Sequence, residues 1–170
     1  KYIASEIDTD MGVLKALALR DTLKDSSIPW NEKISDLNNV LDLDDSRLIY
    51  GFSDEKGNAH LTNGDTMDIS DEEFFKKTQK KNLFVTDPKE SHLFPGEMVV
   101  IYSVPVLDDA GKFFGCLFLE KNAKFLSERM NDVHVSDGAN LFMISTLTGN
   151  TLADGANYQN VKSYQNIINQ

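Results

Sequence analysis

Three histidines, one cysteine, several acidic clusters and a pair of adjacent phenylalanines are the side chains of this chain that could do chemistry, and their spacing sorts them. His60, His92 and His134 stand far apart, with no His-x3-His pair and no second cysteine to join Cys116, so no group has the spacing of a zinc site. Asp8-Thr9-Asp10-Met11-Gly12 opens like a calcium loop, but no glutamate closes twelve residues and the stretch falls inside a helical stripe. No glycine-rich loop precedes a helix, and no serine sits at a nucleophile elbow. The chain therefore carries no catalytic constellation, no metal site and no cofactor motif. Cys116, inside the apolar run FFGCLFLE, reads as an inert buried thiol. Two features remain. DISDEEFFKK, residues 68–77, puts Asp71, Glu72 and Glu73 in a first helical turn and then sets Phe74 beside Phe75. Neighbours on a helix point about 100° apart, so one ring can centre a buried face while the other looks along its edge, into a groove or to water. Glu120 is the second feature. It ends an apolar strand, where a carboxylate gains nothing from burial unless it meets a cation or hydrogen-bond donors.

The elements that must position these residues follow from periodicity. Ile3, Ile7, Met11, Leu14 and Leu17 mark a long N-terminal helix, with Tyr2, Val13 and Leu19 broadening its stripe, and DSSIP at 25–29 breaks it. Trp30, Ile34, Leu37 and Leu41 form one face of a second helix. Then the period changes. Strands are predicted over 48–54, 58–63, 83–87, 97–108 and 113–121, with hairpin turns at 54–57 and 109–112. Ser70 with Glu73 reads as a capping box that starts a helix at Asp71 and carries it to about Lys80. A polar loop spans 88–96, and NAKFLSERMNDV is another helix. NLFMIST, a turn at 147–150 and LAD follow, too few strands to stand alone in water. The whole is an α+β fold: a five-stranded antiparallel sheet, the N-terminal helix on one face, the 71–80 helix and its loops on the other.

Composition bounds the partners. The 170 residues are 41% apolar and 26% charged, ordinary for a globular protein. Seventeen basic against 27 acidic side chains give a net charge of −10, with no basic block, so nucleic acid and anionic membrane surfaces are poor partners. No apolar run approaches the ~20 residues of a membrane span. The chain begins at Lys1, so it reads as a piece of something longer.

LIYGFSDEKGNAHLTNGDTMDISDEEFFKKTQKKNLFVTDP followed by EMVVIYSVPVLDDAGKFFGCLFLE resembles the double Cache family, the extracytoplasmic sensor domains of bacterial chemoreceptors, sensor histidine kinases and diguanylate cyclases. The matching features come in order. They are Gly-x-x-Asp at 51–54, Asp-Ile-Ser-Asp before paired aromatics, Val-Thr-Asp-Pro ending a strand, Val-Pro-Val, Asp-x-x-Gly-Lys, and Asn-Ala-x-x-Leu opening a helix. The resemblance implies a PAS-like (Cache) fold divided into a helical stalk with a second helix over 1–46, a membrane-distal sensing unit over 47–135, and the start of a membrane-proximal PAS-like unit over 136–170. It also implies a membrane-anchored parent with this part on the extracytoplasmic face of a bacterial cell.

The same resemblance implies a ligand pocket between the sheet and the segment that begins with the paired aromatics, with Phe74 and Phe75 split between core and pocket wall. The alternative is that both simply close the sheet face. Where the amino-acid-binding members have an arginine two residues before the aromatic pair, this chain has Glu72; their tyrosine five residues earlier is Met67; a loop tyrosine and aspartate fall on Lys89 and Ser91; and the aspartate for the ligand ammonium is Glu120. Phe74 or Phe75, Tyr102 and Glu120 are expected to line one cavity, with Glu72 on its rim. The acidic anchor survives and the cationic one is lost, which favours an amine-bearing or neutral ligand over a plain amino acid, unless Lys89 takes the carboxylate. The expected function is small-molecule sensing transmitted through the N-terminal helix and the proximal unit, with a homodimer along that helix. A scaffold that binds a second copy or a partner protein, without a small ligand, is the competing reading. An intracellular PAS-like cofactor domain would want a haem-ligating His or flavin-reactive Cys facing the sheet, and Cys116 lacks suitable neighbours.

Overall fold

The computed structural model describes residues 2–41, 45–131, 142–145 and 151–154. Three helices lead: α1 (Tyr2–Ala18), α2 (Asp21–Lys24) and α3 (Trp30–Leu41). After them come β1 (Arg47–Ser53), β2 (Asn58–Leu61), β3 (Thr66–Asp68), α4 (Glu73–Gln79), β4 (Phe84–Val85), β5 (Lys89–Glu90), β6 (Met98–Leu107), β7 (Phe113–Asn122), α5 (Lys124–Asn131), β8 (Phe142–Ile144) and β9 (Thr151–Asp154).

The first seven strands form one antiparallel sheet in the order β3-β2-β1-β7-β6-β4, with β5 also paired to β6. All five expected strands are present, and β1 lies directly beside β7 at the centre. The sheet exceeds the expected five strands by β3 and β5, which have three and two residues. Pieces that short are set by pairing to a neighbour rather than by their own alternation. Both expected hairpins close. The Asp54 N–H reaches Asn58 O at 3.1 Å, and the Asp108 N–H reaches Lys112 O at 2.9 Å. Gly57 supplies the left-handed residue of the first turn at φ 98°.

Alternation along the strands gives the sheet two different faces. Tyr50, Phe52, Val100, Tyr102, Val104, Leu117 and Leu119 pack under α1, α3 and α5. Ile49, Val99, Ile101, Cys116 and Phe118 pack on the other side with Phe74 and Phe75 of α4. Gly51 makes the second face flat enough for this: a Cβ there would lie 2.2 Å from Cζ of Phe118.

Three local expectations are corrected. The capping box does not form: Asp68 Oδ1 takes the Ser70 N–H at 2.8 Å, and α4 starts at Glu73 with Glu72 as an N-cap that makes no side-chain cap bond. An aspartate two residues upstream bonds the backbone locally and so competes with the serine. Leu19 does not broaden the α1 stripe but is 73% exposed, because the helix ends at Ala18. The polar loop at 88–96 contains β5 and places Leu93 and Phe94 against the second core. In the C-terminal part, β8 pairs β9, β9 lies against α5, and Met143 packs on the first core. The turn at 147–150, the segment beyond 154, the boundary at 135–136 and residues 42–44 lie outside the described residues. Among the described residues no helix is long and apolar enough to cross a membrane.

Candidate ligand-binding site

β7 is the middle of the sheet, and its residues Cys116 and Phe118 face α4. Glu120, two positions on, shares that face. Its register partners are Ile49 on β1 and Ile101 on β6, so the carboxylate stands in an apolar row and is only 4% exposed. The group that meets it is Ser91, itself buried, whose hydroxyl donates to Glu120 Oε2 at 2.7 Å. Ser91 Oγ meanwhile accepts the backbone N–H groups of Leu93 at 3.1 Å and Phe94 at 3.0 Å. A hydroxyl has one proton and two lone pairs. With both lone pairs used, the proton is aimed at Glu120 by the turn that follows β5. Burial pushes the Glu120 carboxyl above the usual carboxylate range; Ser91, Lys89 and His92 draw it back and Glu72 pushes it further up.

Glu72, Lys89 and His92 are the charged groups near Glu120. Lys89 Nζ lies 2.8 Å from Glu72 Oε2, and His92 Nδ1 lies 4.0 Å from Glu72 Oε1. Both partners of the closer pair are partly exposed. The charge of Lys89 is thus met by a carboxylate of the protein itself.

Phe74 and Phe75 are both 2% exposed. They diverge along β7 rather than between core and open wall. Phe74 sits over Phe118, centroids 5.2 Å apart, one pleat from Glu120, whereas Phe75 packs edge-on to Phe113 at 6.1 Å, beside the β6–β7 turn. Met67, opposite Ala59 in register, is partly buried against the same cluster. Cys116 is shielded there with its thiol pushed up to about 12 by burial, which leaves it inert near neutral pH.

Tyr102 does not join these residues. It pairs with Leu119 and faces α1, on the far side of the sheet from Glu120. Counting without a break from Leu107 and Phe113, the pair that closes the Asp109–Lys112 turn, would match Glu120 with Val100 and put Tyr102 on the same face; the register shift between Val106 and Leu107 makes Ile101 the partner instead and turns Tyr102 to the other side. Ile49, Ile101, Leu93 and Phe94 were missed as well; the apolar pair inside a polar loop was the available hint.

A second polar cluster, also missed, ties the sheet to α1. Lys121, the neighbour of Glu120, points to the opposite face and holds Asp10 Oδ2 at 2.8 Å and Glu6 Oε1 at 2.9 Å. Arg47 grips Asp10 Oδ1 through Nη2 at 2.8 Å and Nε at 3.0 Å, and Arg129 Nε reaches Glu6 Oε2 at 3.0 Å. These five side chains line a cavity of about 440 Å³. Glu6 is held below the usual carboxylate range because Lys121 and Arg129 outweigh the effect of burial. The Tyr102 phenol is pushed up by burial and by the charges of Asp10 and Glu6.

No protein-family model matches the sequence, and no curated protein matches it. Solved structures do. The ligand-binding domain of the amino acid chemoreceptor PctC from Pseudomonas aeruginosa PAO1, in complex with GABA, superposes with a TM-score of 0.76 at 19% identity, covering 99% of this chain and 76% of that one. The ligand-binding domain of the Pseudomonas fluorescens chemoreceptor CtaA with L-serine gives 0.73 at 13% identity over 99% of this chain and 72% of that one. A Campylobacter jejuni chemoreceptor sensory domain with isoleucine bound gives 0.68 at 16% identity; this chain spans 64% of its length. The fold is that of chemoreceptor sensory domains, as the Cache resemblance implied.

Proposed function

We propose that this chain is the extracytoplasmic sensing part of a bacterial membrane receptor and that its ligand is a small molecule carrying an ammonium group. The observation that carries this reading is Glu120: a buried carboxylate in an apolar row, given one hydrogen bond by Ser91 and no cation of its own at ion-pair distance among the described residues. A buried carboxylate costs several kcal/mol unless it is paired, and a ligand cation supplies the pair. Glu72 adds negative charge at the rim while offsetting Lys89, so a ligand carboxylate finds little there. GABA, L-serine and isoleucine, bound by the similar domains, each carry an ammonium group that such an anchor suits. Met67, Phe74 and Ser91 complete the pocket in this reading.

Transmission follows from β7. Glu120 faces the ligand and Lys121 holds α1, so a shift of the strand on binding loads the helix contact directly. The division into a stalk over 1–46, a distal unit over 47–135 and a proximal unit from 136 belongs to the same proposal, as does pairing of two copies along α1. A monomer in sedimentation at the highest soluble concentration removes the pairing.

The test is a thermal-shift screen of amines, amino acids, organic acids and neutral osmolytes, followed by calorimetry. A specific amine raises the melting temperature by mass action. Glu120→Gln then weakens its binding by about 1.5–3 kcal/mol, the usual worth of a charged hydrogen bond. An amine that binds equally well to Glu120→Gln and wild type takes the anchor away from Glu120.

A further inference from the structure

On the α1 side of the sheet, between α3 and the tips of both hairpins, lies a cavity of about 540 Å³, within the size range of small-molecule sites. Its apolar wall is Ile28, Pro29, Trp30 and Phe114. Its charged residue of interest is Lys33, which is only 4% exposed. The ammonium donates to Leu23 O at 2.9 Å and stands 5.4 Å from the Trp30 ring centroid, 5.9 Å from Phe52 and 5.5 Å from Phe114. Three donors therefore meet one carbonyl and the faces of three rings. Among the described residues no carboxylate is at ion-pair distance from Lys33.

The acids nearby are otherwise engaged. Asp54, which lines the cavity, accepts the Lys56 and Asn58 N–H groups on Oδ1 and the Asn58 amide on Oδ2. Glu55 faces Lys112 at 3.5 Å. Asp25 is exposed and takes both the N–H and the hydroxyl of Ser27. Burial lowers Lys33 from the ordinary lysine range and Asp25 offsets this only in part. A buried ammonium without a counter-ion is costly, whereas the same group beside an entering anion gains a desolvated ion pair.

The geometry points to a second ligand site, separate from the Glu120 pocket: the α3–hairpin cavity takes a small apolar carboxylate, its anionic group on Lys33 and its hydrocarbon part against Ile28, Trp30 and Phe114. Lys56, exposed on the same cavity wall, adds positive charge at the mouth. The apolar wall excludes a bare inorganic anion as the preferred occupant, because it offers hydrocarbon rather than donors.

Trp30 is the single tryptophan of the chain and lines this cavity, so its fluorescence reports on it. The whole chain is titrated with cyclohexanecarboxylate, which does not absorb where tryptophan does, and with uncharged cyclohexanecarboxamide. The proposal expects a saturable change with the acid and at least tenfold weaker binding of the amide. Lys33→Met, whose folding is checked by circular dichroism, should weaken the acid at least tenfold, and Glu120→Gln should leave the titration unchanged. Equal binding of acid and amide by the wild type, or no saturable change at all, overturns it. So does a titration that survives in folded Lys33→Met or disappears in Glu120→Gln. The amine measurements at Glu120 are independent of each of these outcomes.

Discussion

Glu120 can hold a ligand cation only as a carboxylate, and burial works against that form. Amine affinity is therefore expected to rise with pH through the raised Glu120 value, because below it the ligand must displace a proton; calorimetry at a series of pH values, and in two buffers of different ionisation enthalpy, measures that proton. Stability runs the other way. A carboxyl raised in the folded state contributes stability that is full below its ordinary 4.5 and is lost as pH rises through the raised value. Glu120→Gln should remove this slope and melt no lower than wild type near neutral pH, as thermal scans across pH will tell. Phe75→Ala is a different matter. At 2% exposure and packed on Phe113 it should cost about 3–5 kcal/mol by urea unfolding. Glu120 was legible because a charge at the end of an apolar strand breaks a pattern. Tyr102 was misplaced because the irregularity between Val106 and Leu107 shifts the β6–β7 register by one, and nothing in the turn residues announces it.

At the scale of elements, α1 is fastened by ions as well as by its apolar stripe. Asp10 meets both Arg47 and Lys121, and all three side chains are less than a tenth exposed. Asp10→Asn takes one charged contact from each of two buried cations and is expected to cost about 3–5 kcal/mol, read from urea unfolding. Glycines sort by what surrounds them. Gly12, inside α1 with nothing within 4 Å of an added Cβ, should gain about 0.5–1 kcal/mol as Gly12→Ala. Gly115→Ala should lose about 1–3 kcal/mol or more, since its Cβ would stand 2.1 Å from Ser53 O. The long strands and both hairpins were legible because period and turn chemistry agree there. β3, β5 and the start of α4 were not, since two or three residues carry no period and Asp68 competes with Ser70 for the same backbone.

For the whole molecule, charge and topology matter more than any contact. A net charge of −10 attracts a cationic ligand over roughly a Debye length, about 10 Å at 0.1 M salt. Association rates of an amine in stopped flow should fall as salt rises, while those of a neutral ligand should not. Topology puts β7 in the centre of the sheet, with Glu120 turned to one layer and Lys121 to the other. That alternation has a practical side for engineering. Under the proposed amine site, position 120 is the one to vary for a new chemical, while 117, 119 and 121 keep the packing and the clasp on α1, so recognition and readout occupy separate alphabets in one strand. A biosensor built on this scaffold could change its specificity without relearning how to report it.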